Sequence, residues 1–291
     1  MKAVLFIGHG SPKEEGNTEI SNFVNELKKE MNESIIETCF LEFANPTIAE
    51  GVHTCVQKGA THVALVPIMF LPAGHSKIHI PHAIDEAKEK YPDVSFTYGR
   101  PIGIHQEMVN LLQEKLEQEA GLSADQQEKD TAILIVGRGS SDADTNSEVY
   151  KLSRLLSEAL DHTLVEVCFI GVTKPDVESG VDRCLRLGMK NVILLPYFFF
   201  SGILMDRTEA KVAEFQKEYP ERKFSSTSPI GFHPRLKTIL KERAAEALEG
   251  EASLNCDMCQ YRLFAVENMD GIHHHHHEHD HDHGHHHSHS S

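Results

Sequence analysis

Val4-Leu5-Phe6-Ile7-Gly8-His9-Gly10-Ser11 begins with four apolar residues that run directly into Gly-His-Gly-Ser. A short, continuously apolar run bounded by glycine reads as a strand buried on both faces, as in parallel sheets. The turn that follows places His9 at the strand's carboxyl end. Ligands of open α/β sheets bind at that end, where the crevice is lined by loops. A glycine on either side lets the backbone turn and lets a ligand come close. This stretch alone leaves two readings open, a histidine that serves a ligand and one that merely caps a strand.

Downstream, helices and strands alternate. Residues 17–31 place Ile20, Phe23, Val24, Leu27 and Met31 at helical spacing. Residues 34–41 read as a second strand. Asn45-Pro46 then offers a capping residue and a proline at the first helical position, opening a helix that Gly59 closes. A third strand is predicted over 62–67. Its loop, Ile68-Met69-Phe70-Leu71-Pro72-Ala73-Gly74-His75-Ser76, is long for a βα connection, and long loops at that end carry function. Pro81 argues against an unbroken helix from His75. The next elements are therefore a helix over 80–90, a strand over 94–99 and a helix over 105–119.

Residues 121–130 are polar and without period, as a linker is. The pattern then begins again. Leu134-Ile135-Val136-Gly137-Arg138-Gly139-Ser140 matches residues 5–11 at an offset of 129, and so do Cys168 with Cys39, Pro175 with Pro46, Cys184 with Cys55, Gly188 with Gly59 and Pro196 with Pro67. After a one-residue deletion in the long loop the offset is 128: Pro229-Ile230-Gly231 then matches Pro101-Ile102-Gly103, and His233 matches His105. The chain is an internal duplication. The expected fold class is α/β, with two similar domains of flavodoxin-like topology. Each would be a four-stranded parallel sheet flanked by helices, and a cleft would lie between their loop-bearing ends. The expected division is 1–120, 131–249 and a tail over 250–291.

A chain of 291 residues is long enough for two cores. No run of apolar residues reaches membrane-spanning length, and no basic-then-apolar leader precedes the first strand, so a cytoplasmic location is expected. Formal net charge is −16, of which Glu278, Asp280 and Asp282 in the final tract supply only three. That balance argues against nucleic acid or an anionic membrane as partner. Cys39, Cys55, Cys168 and Cys184 fall in predicted strands and helices and are expected to be buried, reduced thiols.

The duplication also supplies an internal control, since packing residues should persist in both halves while one active site needs its chemistry only once. At the strand ends His9 is answered by Arg138, Glu42 by Gly171 and His75 by Ile203. These three residues follow the first, second and third strands of the first half and would converge at one edge of a parallel sheet. Two imidazoles and a carboxylate suit a divalent transition metal. His79 and His82 read as a solvated helix start, the alternative being contacts that support the site or meet a substrate carboxylate. His105 and His233, kept in both halves, read as structural. The first loop lacks a glycine-rich phosphate fingerprint, so a nucleotide is not expected.

Gly8-His9-Gly10-Ser11, Leu41-Glu42-Phe43-Ala44-Asn45-Pro46 and Leu71-Pro72-Ala73-Gly74-His75-Ser76 resemble the motifs of the sirohydrochlorin chelatases, in particular the long, two-domain cobaltochelatases of the CbiX family. The resemblance runs from Met1 to about Leu248. It implies the chelatase-like (class II) fold and ATP-independent insertion of Co2+ into the tetrapyrrole sirohydrochlorin, in anaerobic cobalamin biosynthesis. The iron-inserting relatives that make sirohaem share the same motifs. By position, it implies that His9 and His75 bind the metal and accept protons, with Glu42 as acidic partner. Met69, Phe70, Leu71 and Pro72 are expected to form an apolar wall for the flat macrocycle.

Beyond residue 250 the repeat is exhausted. The chain carries Cys256-Asp257-Met258-Cys259 and then 12 histidines between His273 and His289. Such a tract cannot form a core and is expected to be disordered and to bind divalent metal ions. Long-form cobaltochelatases have a Met-x-Cys-x-x-Cys motif associated with an iron–sulfur cluster. Here Leu254 stands at the methionine position, and Cys256 and Cys259 are half of a four-cysteine set. A cluster would need other ligands or a second chain, as in a homodimer. The tail alone would equally suit a protein of metal storage or delivery.

Overall fold

The computed structural model describes residues 1–72, 74–122 and 130–250, and no side chain of residues 74–76. The first half runs β1 (Lys2–Gly8), α1 (Glu14–Lys28), β2 (Ile35–Phe40), α2 (Ile48–Gln57), β3 (His62–Pro67), α3 (Gly74–Lys90), β4 (Ser95–Tyr98) and α4 (Gln106–Ala120). The second repeats it as β5 (Thr131–Gly137), α5 (Ala143–Ala159), β6 (Leu164–Phe169), α6 (Val177–Arg186), β7 (Asn191–Pro196), α7 (Ile203–Glu218), β8 (Lys223–Ser226) and α8 (Arg235–Glu249). Both sheets are parallel, ordered β2-β1-β3-β4 and β6-β5-β7-β8. Register is kept too: Ala3 pairs with Ile35, and Ala132 with Leu164. The apolar runs of β1 and β5 are central strands buried on both faces, as their lack of alternation requires.

Each half has its own outer core, beneath α2 and α3 in one and beneath α6 and α7 in the other. Between the halves lies a third core to which both contribute. It exists because the last helix of each half is exchanged. Helix α8 lies on β3 and β4 of the first sheet, where the buried Arg243 donates from Nε to the Pro101 carbonyl (3.1 Å) and from Nη2 to the Ile102 carbonyl (3.0 Å). Helix α4 packs on α5, and its end stands beside Val192 and Ile193 of β7. The two helices also clasp each other. His105 caps α4 by accepting from the Glu107 amide at Nδ1 (3.0 Å), so Nε2 carries the hydrogen it donates to Glu242 of α8 (2.8 Å). His233 repeats this toward Glu114 at 3.4 Å. Both histidines are structural, as their presence in both halves suggested.

Local details differ from expectation in two places. Asn45-Pro46 does not start α2: Thr47 is the cap, in a capping box in which its hydroxyl accepts from the Glu50 amide and Glu50 accepts from the Thr47 amide. Helix α3 starts at Gly74 and passes through Pro81. Ile80 and Ile84 on either side of that proline are buried in the outer core, and this packing outweighs the one backbone bond that proline removes. The four cysteines of the sheets and helices are buried free thiols. Burial pushes Cys55 and Cys184 up to about 12, which leaves them inert.

Candidate functional site

Where β1 ends, two loops are docked backbone to backbone. Leu41 donates its amide to the Gly8 carbonyl (2.9 Å) and Glu42 donates to the His9 carbonyl (3.0 Å), so the segment after β2 continues the sheet for two residues past Phe40. Gly10, at φ 88°, makes the approach possible: a β-carbon there would stand 1.7 Å from the Glu42 carbonyl oxygen. Asn17 of α1 holds the other end of the turn, accepting from the Ser11 amide (2.9 Å) and donating to its carbonyl (2.8 Å).

This brings His9 and Glu42 together. His9 Nε2 lies 3.4 Å from Glu42 Oε1, with the side chains 43% and 30% exposed, so both face solvent without being loose in it. His9 Nδ1 lies 3.2 Å from the Gly10 carbonyl, which can only accept, so Nδ1 carries the hydrogen. Nε2 is then the nitrogen with the lone pair, the arrangement that suits a metal ligand or a proton acceptor. Glu42 beside it can balance the charge either role creates.

His75 lies in the first turn of α3, directly after the loop that leaves β3. Its side chain is outside the described residues, as are Cys256, Cys259 and the histidine tract. Among the described residues no group of three or more His, Cys, Asp or Glu is placed to hold a metal. The start of α3 is tied to the second half. Lys77 donates to Asp142 at the cap of α5 (2.6 Å) and to Asp144 (3.0 Å), and Thr145 donates to the Pro72 carbonyl. His82 pairs with Glu86 at 3.5 Å along the exposed face of α3, as a solvated helix start does.

The second half cannot build the same site. A β-carbon at Gly171, the counterpart of Glu42, would stand 2.3 Å from the Arg138 carbonyl oxygen. Arg138 itself is exposed at the end of β5.

Of the apolar wall expected from the long loop, Leu71 and Pro72 are half-buried, while Met69 and Phe70 are withdrawn into the core. Met69 and Phe70 are each 8% exposed, and Phe70 stacks on Phe199 of the second half with ring centroids 3.7 Å apart. That pair closes the interface between the halves instead of lining a cleft. The exposed apolar side chains at the strand ends are Phe43, Val172 and Ile203. Phe43 lines an open groove of about 440 Å³ with Ser11, Asn17, Phe40 and Asn45. Its apolar character was visible in the sequence; its exposure was not.

The model of the CbiX family matches residues 3–119 and again 132–247, one copy on each half. The chain belongs to the CbiX family. Two family matches in tandem are what the duplicated strands and loops require, and the junction between them falls in the linker. The chain is 54% identical over 275 residues to the sirohydrochlorin cobaltochelatase of Priestia megaterium, covering 94% of this chain and 88% of that protein. It is 32% identical to the sirohydrochlorin ferrochelatase of Bacillus subtilis, covering 89% and 97%. A solved structure of SirB from Bacillus subtilis with Fe3+ superposes with a TM-score of 0.77, at 32% identity and coverage of 87% and 98%. These relatives share the α/β two-domain architecture of this CbiX-family chain. No helix among the described residues is long and apolar enough to cross a membrane.

Proposed function

We propose that this chain is a sirohydrochlorin cobaltochelatase, a metal chelatase of the lyase class that inserts Co2+ into sirohydrochlorin without a nucleotide, in anaerobic cobalamin biosynthesis. The observation that carries the reading is the His9–Glu42 pair, with the hydrogen of His9 held on Nδ1 by the Gly10 carbonyl. The name of the Priestia relative supports cobalt as the metal.

Metallating a tetrapyrrole requires that the ion be held and that two pyrrole protons be removed. The Nε2 lone pair of His9 serves either step, and a proton taken there becomes the charge that Glu42 stabilises at 3.4 Å. His75, from the loop after β3, is the proposed second imidazole. The second half, whose strand ends lack these groups, holds the first half in place through α8 and through Asp142. The enzyme is proposed to work in the cytoplasm. In a homodimer, Cys256 and Cys259 of two chains would supply four thiolates for an iron–sulfur cluster, a point that iron and acid-labile sulfide content tests.

Iron insertion is the second reading, favoured by ferrochelatase relatives that cover nearly as much of the chain. The purified full chain, mixed with sirohydrochlorin and Co2+ or Fe2+ in the absence of ATP, should change the macrocycle's absorbance spectrum, faster with Co2+. Faster insertion of Fe2+ supports the second reading, and absence of conversion with either ion rejects both.

A further inference from the structure

Phe43 is an aromatic residue that two local preferences oppose. Its backbone lies at φ 62°, in the left-handed region, and the residue is 65% exposed. The other non-glycine residues at positive φ among those described are Asp161 and His162, in the turn after α5. Asp and His tolerate that region comparatively well, whereas for a bulky residue it is an outlier. The cause lies in the chain around it. The bond from the Phe40 amide to the Pro46 carbonyl (2.8 Å) recurs in the second half from Phe169 to Pro175 (2.8 Å), so what sets the first half apart is the bond of the Glu42 amide to the His9 carbonyl (3.0 Å), which fixes the residue just before Phe43. In the second half the matching residue, Val172, has no positive φ, and it follows a glycine where Phe43 follows the carboxylate. The unusual backbone thus accompanies the chemistry, which is where such outliers concentrate.

We propose that the Phe43 ring is the platform on which the flat macrocycle lies while its nitrogens face His9 and Glu42, making Phe43 a substrate-positioning residue. This rests on the reading that the chain metallates a tetrapyrrole. The ring flanks an open groove beside the site, whereas of the apolar loop residues Met69 is buried in the outer core of the first half, Phe70 between the halves, and Leu71 and Pro72 are half-buried. An exposed aromatic face stacks on an extended π-system and is recovered from water when it does so. The left-handed turn sets that face directly after the carboxylate.

The test uses the full chain with Phe43→Gly and Phe43→Tyr. Glycine adopts the left-handed backbone freely, so Phe43→Gly should unfold at the same or a higher denaturant concentration than the wild type. The same variant should raise the KM for sirohydrochlorin about tenfold, the size of a lost aromatic contact, and leave the KM for Co2+ unchanged. Phe43→Tyr should restore the wild-type KM. An unchanged macrocycle KM in Phe43→Gly, a rise shared by Co2+, or a loss of stability overturns the proposal. Equilibrium binding of metal-free sirohydrochlorin, read by its fluorescence, separates the two levels. If the wild type binds the macrocycle but metallates nothing, the proposed function fails while Phe43 is still tested by the affinity of its variants.

Discussion

Gly10 and Glu42 are packed so that a β-carbon on residue 10 would stand 1.7 Å from the Glu42 carbonyl oxygen. The obstacle is backbone, so it cannot turn aside as a flexible side chain would. Gly10→Ala should therefore push the Glu42 segment off the end of β1. The expected cost is about 1–3 kcal/mol of stability, from overlap and from forcing an alanine to φ 88°. Activity should fall further than stability predicts, because the His9–Glu42 distance is lost. Chemical denaturation and the metallation rate measured on the same sample check both parts.

Arg243 should be among the most costly residues to remove. It is buried on α8, donates to the Pro101 and Ile102 carbonyls of the first half, and pairs with Glu246 at 2.8 Å. Arg243→Ala leaves two buried carbonyls without their donor, while Glu246 keeps its pair with Arg100 (2.6 Å), and should cost about 2–4 kcal/mol. Because the shared core needs α8 on the first sheet, both halves should lose structure in one transition. Urea unfolding followed by circular dichroism checks the size of the effect and its single step.

Acid should loosen the clasp between α4 and α8. Burial holds the His233 imidazole below its usual range, with Arg235 and Lys115 adding to this and Glu114 opposing it. A histidine whose pKa is lowered on folding takes up its proton more readily in the unfolded chain. Its effect is therefore nil above the unfolded value near 6.5, and stability declines as pH falls through that value. His233→Gln should flatten this part of the pH–stability profile, as denaturation midpoints between pH 5 and 8 would show.

Lys77 ties the first turn of α3, which carries His75, to Asp142 of the second half. Both side chains of that pair are largely buried, so Lys77→Met leaves the Asp142 carboxylate without its cation. The variant should lower the metallation rate, with a loss of about 1–3 kcal/mol in stability. Lys77→Arg should recover part of both. Parallel rate and denaturation measurements on the two variants check the prediction.

The duplication was legible because glycines, prolines and cysteines recur at fixed offsets, and with it came the repeated four-stranded parallel sheet and the contrast between His9 and Arg138. The exchange of α4 and α8 was not legible. The spacing of Met108, Val109, Leu112 and Leu116 says that one face of a helix is buried, but not against which sheet. Phe70 misled for a related reason, since an apolar loop residue can wall a cleft or seal an interface, and only the position of Phe199 decides; Met69 instead turns into the outer core of the first half. Phe43 was hidden because its backbone angle accompanies the hydrogen bond between the Glu42 amide and the His9 carbonyl, not its own preference. The pairing of His9 with Glu42 was read from two strand ends that a parallel sheet must place side by side.

The metallation rate of His9→Ala tests the central claim most directly. With the full chain, sirohydrochlorin and Co2+, followed by the macrocycle's absorbance, loss of the Nε2 lone pair should slow insertion by about a hundredfold or more, while the denaturation midpoint stays near that of the wild type. A folded His9→Ala protein that inserts cobalt at the wild-type rate would contradict the account.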